Sequence, residues 1–247
     1  STGNLLDDLL RRRTLARRAP GALLMMALGR SLAGTAEVSI SGATLGIGTM
    51  IYLTGYGALP SMLEHALAHG AWSITSGVLV IFLFQAGMAP VWLARTTGEQ
   101  ALVRLAPAFP ATPGRFNDLL ARALLRQALA IWGMASVASL LLALLAGVRG
   151  SALLAQAGIC CMTLPALALP LRDHARDDAW HHTVVWALAL GLSFVGPVAG
   201  AFGVSLFGLP YWPVALATAA TLGAVLLRHR LRVMRAAPFA FPAGRMA

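Results

Sequence analysis

The segment Arg172-Asp-His-Ala-Arg-Asp-Asp-Ala-Trp-His-His182 holds the densest cluster of reactive side chains in the chain. On a helix, Asp173, Asp177 and His181 share one face at i, i+4 and i+8, and His174, Asp178 and His182 share the adjacent one. Carboxylate and imidazole at that spacing bind Zn²⁺ or another divalent ion. The same groups also suit acid–base chemistry at a lipid surface. A metal site usually draws ligands from a second segment, and none stands out. The expectation is therefore no metal, with Asp173, Asp177 and His181 as the alternative ligands. The plainer arrangement is a solvated turn in which the aspartates pair with Arg172 and Arg176. Glu64, His65 and His69 form a smaller group with His at i and i+4, read here as a solvated loop.

Glu37 stands at the head of an uncharged stretch that is unusually polar, with Ser39, Ser41, Thr44, Thr49 and Thr54. Ionisable groups inside a membrane are usually functional or paired. Glu37, Ser41, Thr44 and Thr49 are therefore candidates for a substrate path or for helix packing. Gly42-x-x-x-Gly46 in the same stretch allows close helix approach. Packing is the expected use, and Glu37 reads as an interfacial carboxylate near Arg30. Cys160 and Cys161 are adjacent in an apolar run, where a bridge between them is strained. They read as small buried hydrophobes.

These residues are positioned by apolar elements. Val38–Leu63, His65–Ala94, Gln127–Val148, Gly150–Leu171 and Ala179–Leu227 contain no Asp, Glu, Lys or Arg. About 20 apolar residues suffice to cross a bilayer, so the first four cross once and the last is long enough to cross twice. The chain is 58% hydrophobic and 11% charged, against about 25% charge in a soluble domain. That excludes a soluble enzyme. Six transmembrane helices are expected, at roughly 37–59, 71–94, 124–148, 151–171, 182–203 and 209–228. Glycines and prolines from Gly196 to Pro213 break the last stretch into two, with a loop or re-entrant turn between them.

All 19 basic residues are arginine. Eighteen of them fall before the first span, in the two even-numbered loops and in the tail, against Arg149 alone in the other three loops. That alternation places both termini in the cytoplasm. The net charge of +10 is explained by topology and anionic lipid headgroups, not by nucleic acid. Arginine without lysine, amid abundant Ala, Leu and Gly, matches a high-GC bacterial genome, so the expected location is a bacterial inner membrane. The start, Ser1-Thr-Gly-Asn, lacks the pattern of a signal peptide. The expected fold is all-α and polytopic. Residues 1–36 form an amphipathic interfacial segment, 37–228 the transmembrane domain, and 229–247 a basic cytoplasmic tail.

The loop 95–126 is the sizeable cytoplasmic connection. Thr96 and Glu99 fit a capping box, opening a short helix that Pro107 ends. Asn117 reads as the N-cap of a helix running through Asp118, Arg122 and Arg126 into the third span.

Arg95-Thr-Thr-Gly-Glu-Gln-Ala-Leu-Val-Arg-Leu-Ala-Pro107 resembles the segment after the second span of type-two ATP-binding-cassette exporter permeases. The layout is similar too: an interfacial helix, six spans, both termini inside and a broken region between spans five and six. Thr96 and Thr97 stand where that family often has acidic residues. The resemblance implies that Glu99, Leu102, Arg104, Leu105 and Pro107 form a coupling helix that contacts a separate cytoplasmic ATPase. It implies a homodimer or paired permease. This chain holds no ATP motif, since it has no lysine, so no cofactor is expected here and ATP belongs to the partner. The alternatives are a membrane enzyme using 173–182, an accessory membrane protein, or a piece of a larger transporter.

Overall fold

Where the apolar runs are described they hold helices, and three of those helices extend past one end of a run. The computed structural model describes residues 30–55, 77–84, 86–87, 110–175, 211–238 and 240. Among them all regular structure is helical. Helix α1 is Arg30–Gly55 and α2 is the segment 77–84. Helix α3 is Pro113–Leu145 and α4 is Ser151–Met162, followed by a 3-10 turn at Leu164–Ala168. Helix α5 is Tyr211–Ala236. Three stretches are long and apolar enough to cross a membrane: Pro113–Leu145, Ser151–Ala168 and Trp212–Ala236. A shorter apolar stretch, Val38–Leu53, lies within α1. The expected span 182–203 and most of 71–94 lie outside the described residues, as does the segment before Arg30.

Helix α3 is the spine of the described structure. Its proline at the first helical position has a φ already suited to a helix and no N–H to satisfy. Thr112 takes the N-cap position. Asn117 is therefore not the N-cap expected from the sequence: the helix starts at Pro113, and the Asn117 side chain is committed elsewhere. Fourteen residues of loop 95–126 thus belong to α3.

At its far end α3 closes with a two-bond glycine cap. Gly147, at φ 83°, donates to the Leu144 carbonyl at 3.1 Å, and Val148 donates to that of Ala143 at 2.9 Å. Gly150 then adopts φ 59°, ψ −131° and starts α4. A side chain there is strained, so Gly150→Ala is expected to cost about 1–3 kcal/mol. Thermal unfolding in detergent checks this.

Three apolar cores hold the helices together. The first joins Ile40 of α1, Val78 and Phe82 of α2, Ile131 to Leu142 of α3, and Cys160, Ala166 and Leu169. A second joins Phe116, Leu120 and Leu124 of α3 to Leu171 and, on α5, Leu227, Leu231 and Met234. A third seats Ala215 and Ala219 of α5 on Met162. The second core gathers residues at or beside the ends of three apolar runs: Leu124, just before the run that begins at Gln127, with Leu171 and Leu227, which end the other two. Beyond those run ends α3 and α5 continue side by side as an arginine-bearing stalk. The tail expected from residue 229 is helical as far as Ala236.

The run Gly150–Leu171 is not one helix. Helix α4 stops at Met162, Thr163 donates its backbone N–H to Cys160 at 3.2 Å, and the 3-10 turn carries Pro165 against α5. A Cβ at Gly223 would lie 3.9 Å from Pro165 Cα, so the turn rests on the helix backbone.

Candidate functional site

Two polar arrangements lie between α3 and its neighbours, and a third group stands alone. The first is a clamp on the C-terminus of α5. Helix ends leave carbonyls without intrahelical partners. Asn117, fully buried, donates through Nδ2 to the carbonyls of Met234 and Ala237, both at 2.9 Å. Its Oδ1 accepts the N–H of Ala240 at 2.9 Å. One side chain thus closes the end of a helix more than a hundred residues away.

Next to it Arg235 Nε donates to Asp118 Oδ1 at 2.6 Å. Both side chains are partly exposed, so Asp118→Asn is expected to cost under about 1 kcal/mol. A double-mutant cycle with Arg235→Gln, read by thermal unfolding, measures it. His174 donates its backbone N–H to Ala240 at 2.9 Å, which ties the 170–175 turn to the same helix end.

The second arrangement is a seam between α3 and α4 inside the apolar runs. Gln156 Nε2 donates to Ser139 Oγ at 2.8 Å, with both residues buried. Trp132 Nε1 donates to the Cys160 carbonyl at 3.2 Å and to Thr163 Oγ1 at 3.0 Å. Thr163 Oγ1 in turn donates to Cys160 O at 2.7 Å, covering a carbonyl freed where α4 ends. Ser136 and Ser139 lie at the Cys160 thiol. Polar bonds between apolar helices hold them in register. The Trp132 indole thus serves the end of α4. Trp212, by contrast, is exposed.

Gln127 stands apart from both. It is buried at 7% exposure, and neither amide atom has a hydrogen-bond partner among the described residues. It lies between Leu124, which shares a core with Leu171, and Ile131, which shares one with Leu169. That places it near the end of the run that holds the 3-10 turn and at the start of the apolar run of α3. Buried polar groups are normally paired, so an orphaned amide beside a broken helix stands out.

The polar face of α1 is used only in part. Ser41 and Thr44 line a groove of about 730 Å³ against α3, opposite Gly133 and Met134. Thr44 Oγ1 donates back to the Ile40 carbonyl at 2.6 Å. Thr49 is exposed. Glu37 falls within the backbone span of α1. A Cβ at Gly42 or Gly46 would meet no atom within 4 Å, while one at Gly48 would reach Leu142 at 3.7 Å. Of these three glycines only Gly48 comes close to α3 among the described residues, while Ile40, Ala43, Ile47 and Ile51 carry α1 into the shared core.

Of the Asp/His cluster, 172–175 is a turn and not a helix. Asp173 Oδ1 accepts the Ala175 N–H at 3.1 Å, and His174 Nε2 lies 2.9 Å from the Pro170 carbonyl. Asp177 and His181 lie outside the described residues. So do Glu99, Leu102, Arg104, Leu105 and Pro107. Among the described residues no three His, Cys, Asp or Glu side chains are grouped to hold a metal. The sequence reading missed Gln127 and Gln156. An amide inside an uncharged run was the available signal.

Leu129, Val137, Leu141, Leu145, Leu154 and Val225 face outward, whereas Gln127, Ser139, Gln156 and Thr163 face inward. With three helices of spanning length, this defines the class: an all-helical, membrane-associated protein. Compared with protein-family models, curated proteins and solved structures, the chain matches none.

Proposed function

We propose that this chain is the membrane permease subunit of an ATP-driven exporter in a bacterial inner membrane, working by alternating access with a separate ATPase. The observation that carries the proposal is the break after Met162 inside an apolar run of spanning length, with the buried amide of Gln127 one to two helical turns away along α3. Irregular backbone at membrane depth is tolerated where it is packed in protein or lines a wet cavity. Discontinuous helices are a recurring element of transporter binding sites. An amide without a partner costs about 1–3 kcal/mol, a cost that a static scaffold has no reason to keep. The segment 95–107 supplies the contact to the ATPase in this reading, through Glu99, Leu102, Arg104, Leu105 and Pro107, and a pair of permeases forms the pathway.

Thiol labelling tests the wet pathway. In a background with Cys160→Ala and Cys161→Ala, Gln127→Cys is expected to react with a charged, membrane-impermeant methanethiosulfonate, and Ile131→Cys to react far more slowly. Protection of both positions would contradict the proposal. The Asp/His cluster supports the enzyme alternative less well, because Asp173 and His174 are engaged in local turn bonds.

A further inference from the structure

Helix α3 carries exposed arginines and outward apolar side chains on one face. At about 100° per residue, Arg122, Arg126, Leu129, Gly133 and Val137 fall within an arc of about 80°. Arg122, Arg126, Leu129 and Val137 are all exposed, while Leu120 and Leu124 fill the second core from the other side of the helix. From Leu129 onward that face is one wall of the groove against α1, and Ile40, Ser41, Thr44 and Leu45 line the other. Leu129 follows Arg126 by three residues, so this arginine stands about 4.5 Å before the start of the α3 wall.

The groove and its mouth differ in chemistry. The walls are apolar save for two hydroxyls, and Thr44 turns its own back to the Ile40 carbonyl. The mouth is positive. The chain around Arg122 and Arg126 is described without a gap from 110 to 145 and carries one acid, Asp118, which Arg235 engages. Helical side chains lean toward the N-terminus, so both guanidinium groups reach away from the apolar walls. An occupant has to present hydrocarbon to the walls and negative charge beyond them.

Length selects the kind of amphiphile. The α3 wall runs from Leu129 to Leu141, about 18 Å along the helix. One leaflet offers about 15 Å of hydrocarbon, half of a core about 30 Å thick. Arg126 directly precedes the apolar run that begins at Gln127, where hydrocarbon gives way to phosphate. We infer that the groove between α1 and α3 holds an acyl chain of an anionic phospholipid whose phosphate is bound by Arg126 and Arg122. Arginine presents a planar fork of N–H donors that matches phosphate oxygens. The inference rests on the membrane reading and is independent of the exporter assignment.

Native mass spectrometry on the full chain, delipidated in a neutral detergent, tests it. The probes are dioleoylphosphatidylglycerol and dioleoylphosphatidylcholine at equal mole fraction. Wild type is expected to hold one phosphatidylglycerol at least about tenfold more tightly than phosphatidylcholine. Arg122→Gln with Arg126→Gln is expected to lose that preference, while Arg228→Gln with Arg232→Gln, exposed on α5 at the same end, keeps it. Gly133→Leu tests the chain site separately. A Cβ there would meet no atom within 4 Å, so the larger side chain fits and fills the groove, and phosphatidylglycerol binding is expected to fall at least about tenfold. This variant leaves every arginine in place and serves should the double variant not fold. No preference in wild type would overturn the inference. Equal loss in the α5 control would do so as well, since it would reduce the effect to general positive charge. Undiminished binding to Gly133→Leu would put the lipid elsewhere and overturn it. A wild-type dimer that binds no lipid and dissociates on Gly133→Leu would give the groove to a second copy of the chain and overturn it too.

Discussion

Asn117→Ala is expected to lower the thermal midpoint of the purified protein by about 6–12 °C, which corresponds to about 3 kcal/mol in a chain of this size. The substitution removes three buried hydrogen bonds and leaves their partners behind: the carbonyls of Met234 and Ala237 and the N–H of Ala240. Each such orphan costs about 1–3 kcal/mol when water cannot reach it. Helical structure should be lost first beyond Leu231, because nothing else described covers the carbonyls at the end of α5. Asn117→Asp is expected to do no better. It keeps the acceptor for Ala240 but turns a carboxylate oxygen toward two carbonyl oxygens. Hydrogen exchange resolved by segment reads the local effect, and a midpoint within about 2 °C of wild type would show that the stalk does not depend on the clamp.

Gln127→Leu is expected to have the opposite effect on stability and a larger one on function. Replacing an amide that has no partner with an isosteric apolar side chain should leave stability unchanged or raise it by about 1–2 kcal/mol. On the exporter proposal, transport-coupled ATP hydrolysis by the assembled complex should be lost, because the substitution removes a buried amide that has no described hydrogen-bond partner. A variant that is more stable and fully active would remove Gln127 from the pathway. Gln156→Leu separates the two roles. Its amide is bonded to Ser139, so its loss is expected to cost about 0.6–1.7 kcal/mol and to leave coupling intact.

Much of the helical layout was legible in the sequence. Uncharged runs mark where helices lie in lipid, and Arg149 between Gly147 and Gly150 marks the tight turn between α3 and α4. The misreadings have a common cause, which is that tertiary contacts override local signals. Asn117 has N-cap chemistry, but Pro113 starts the helix first and three backbone groups of 234–240 claim the amide. Leu227 ends an apolar run without ending a helix, because the arginines beyond it are good helix formers and the stripe through Leu231 and Met234 still has a core to join. The break after Met162 was signalled by Pro165 and Pro170 inside the run. The length of the uncharged stretch outweighed them.

The most direct test of the exporter assignment is to extract the full chain from its native membrane in a mild detergent and identify what accompanies it. The account predicts an ATP-binding-cassette ATPase in stoichiometric amount, lost on Glu99→Arg while the permease remains folded in the membrane. Recovery of the chain without any such ATPase, under conditions that preserve other membrane complexes, would contradict it.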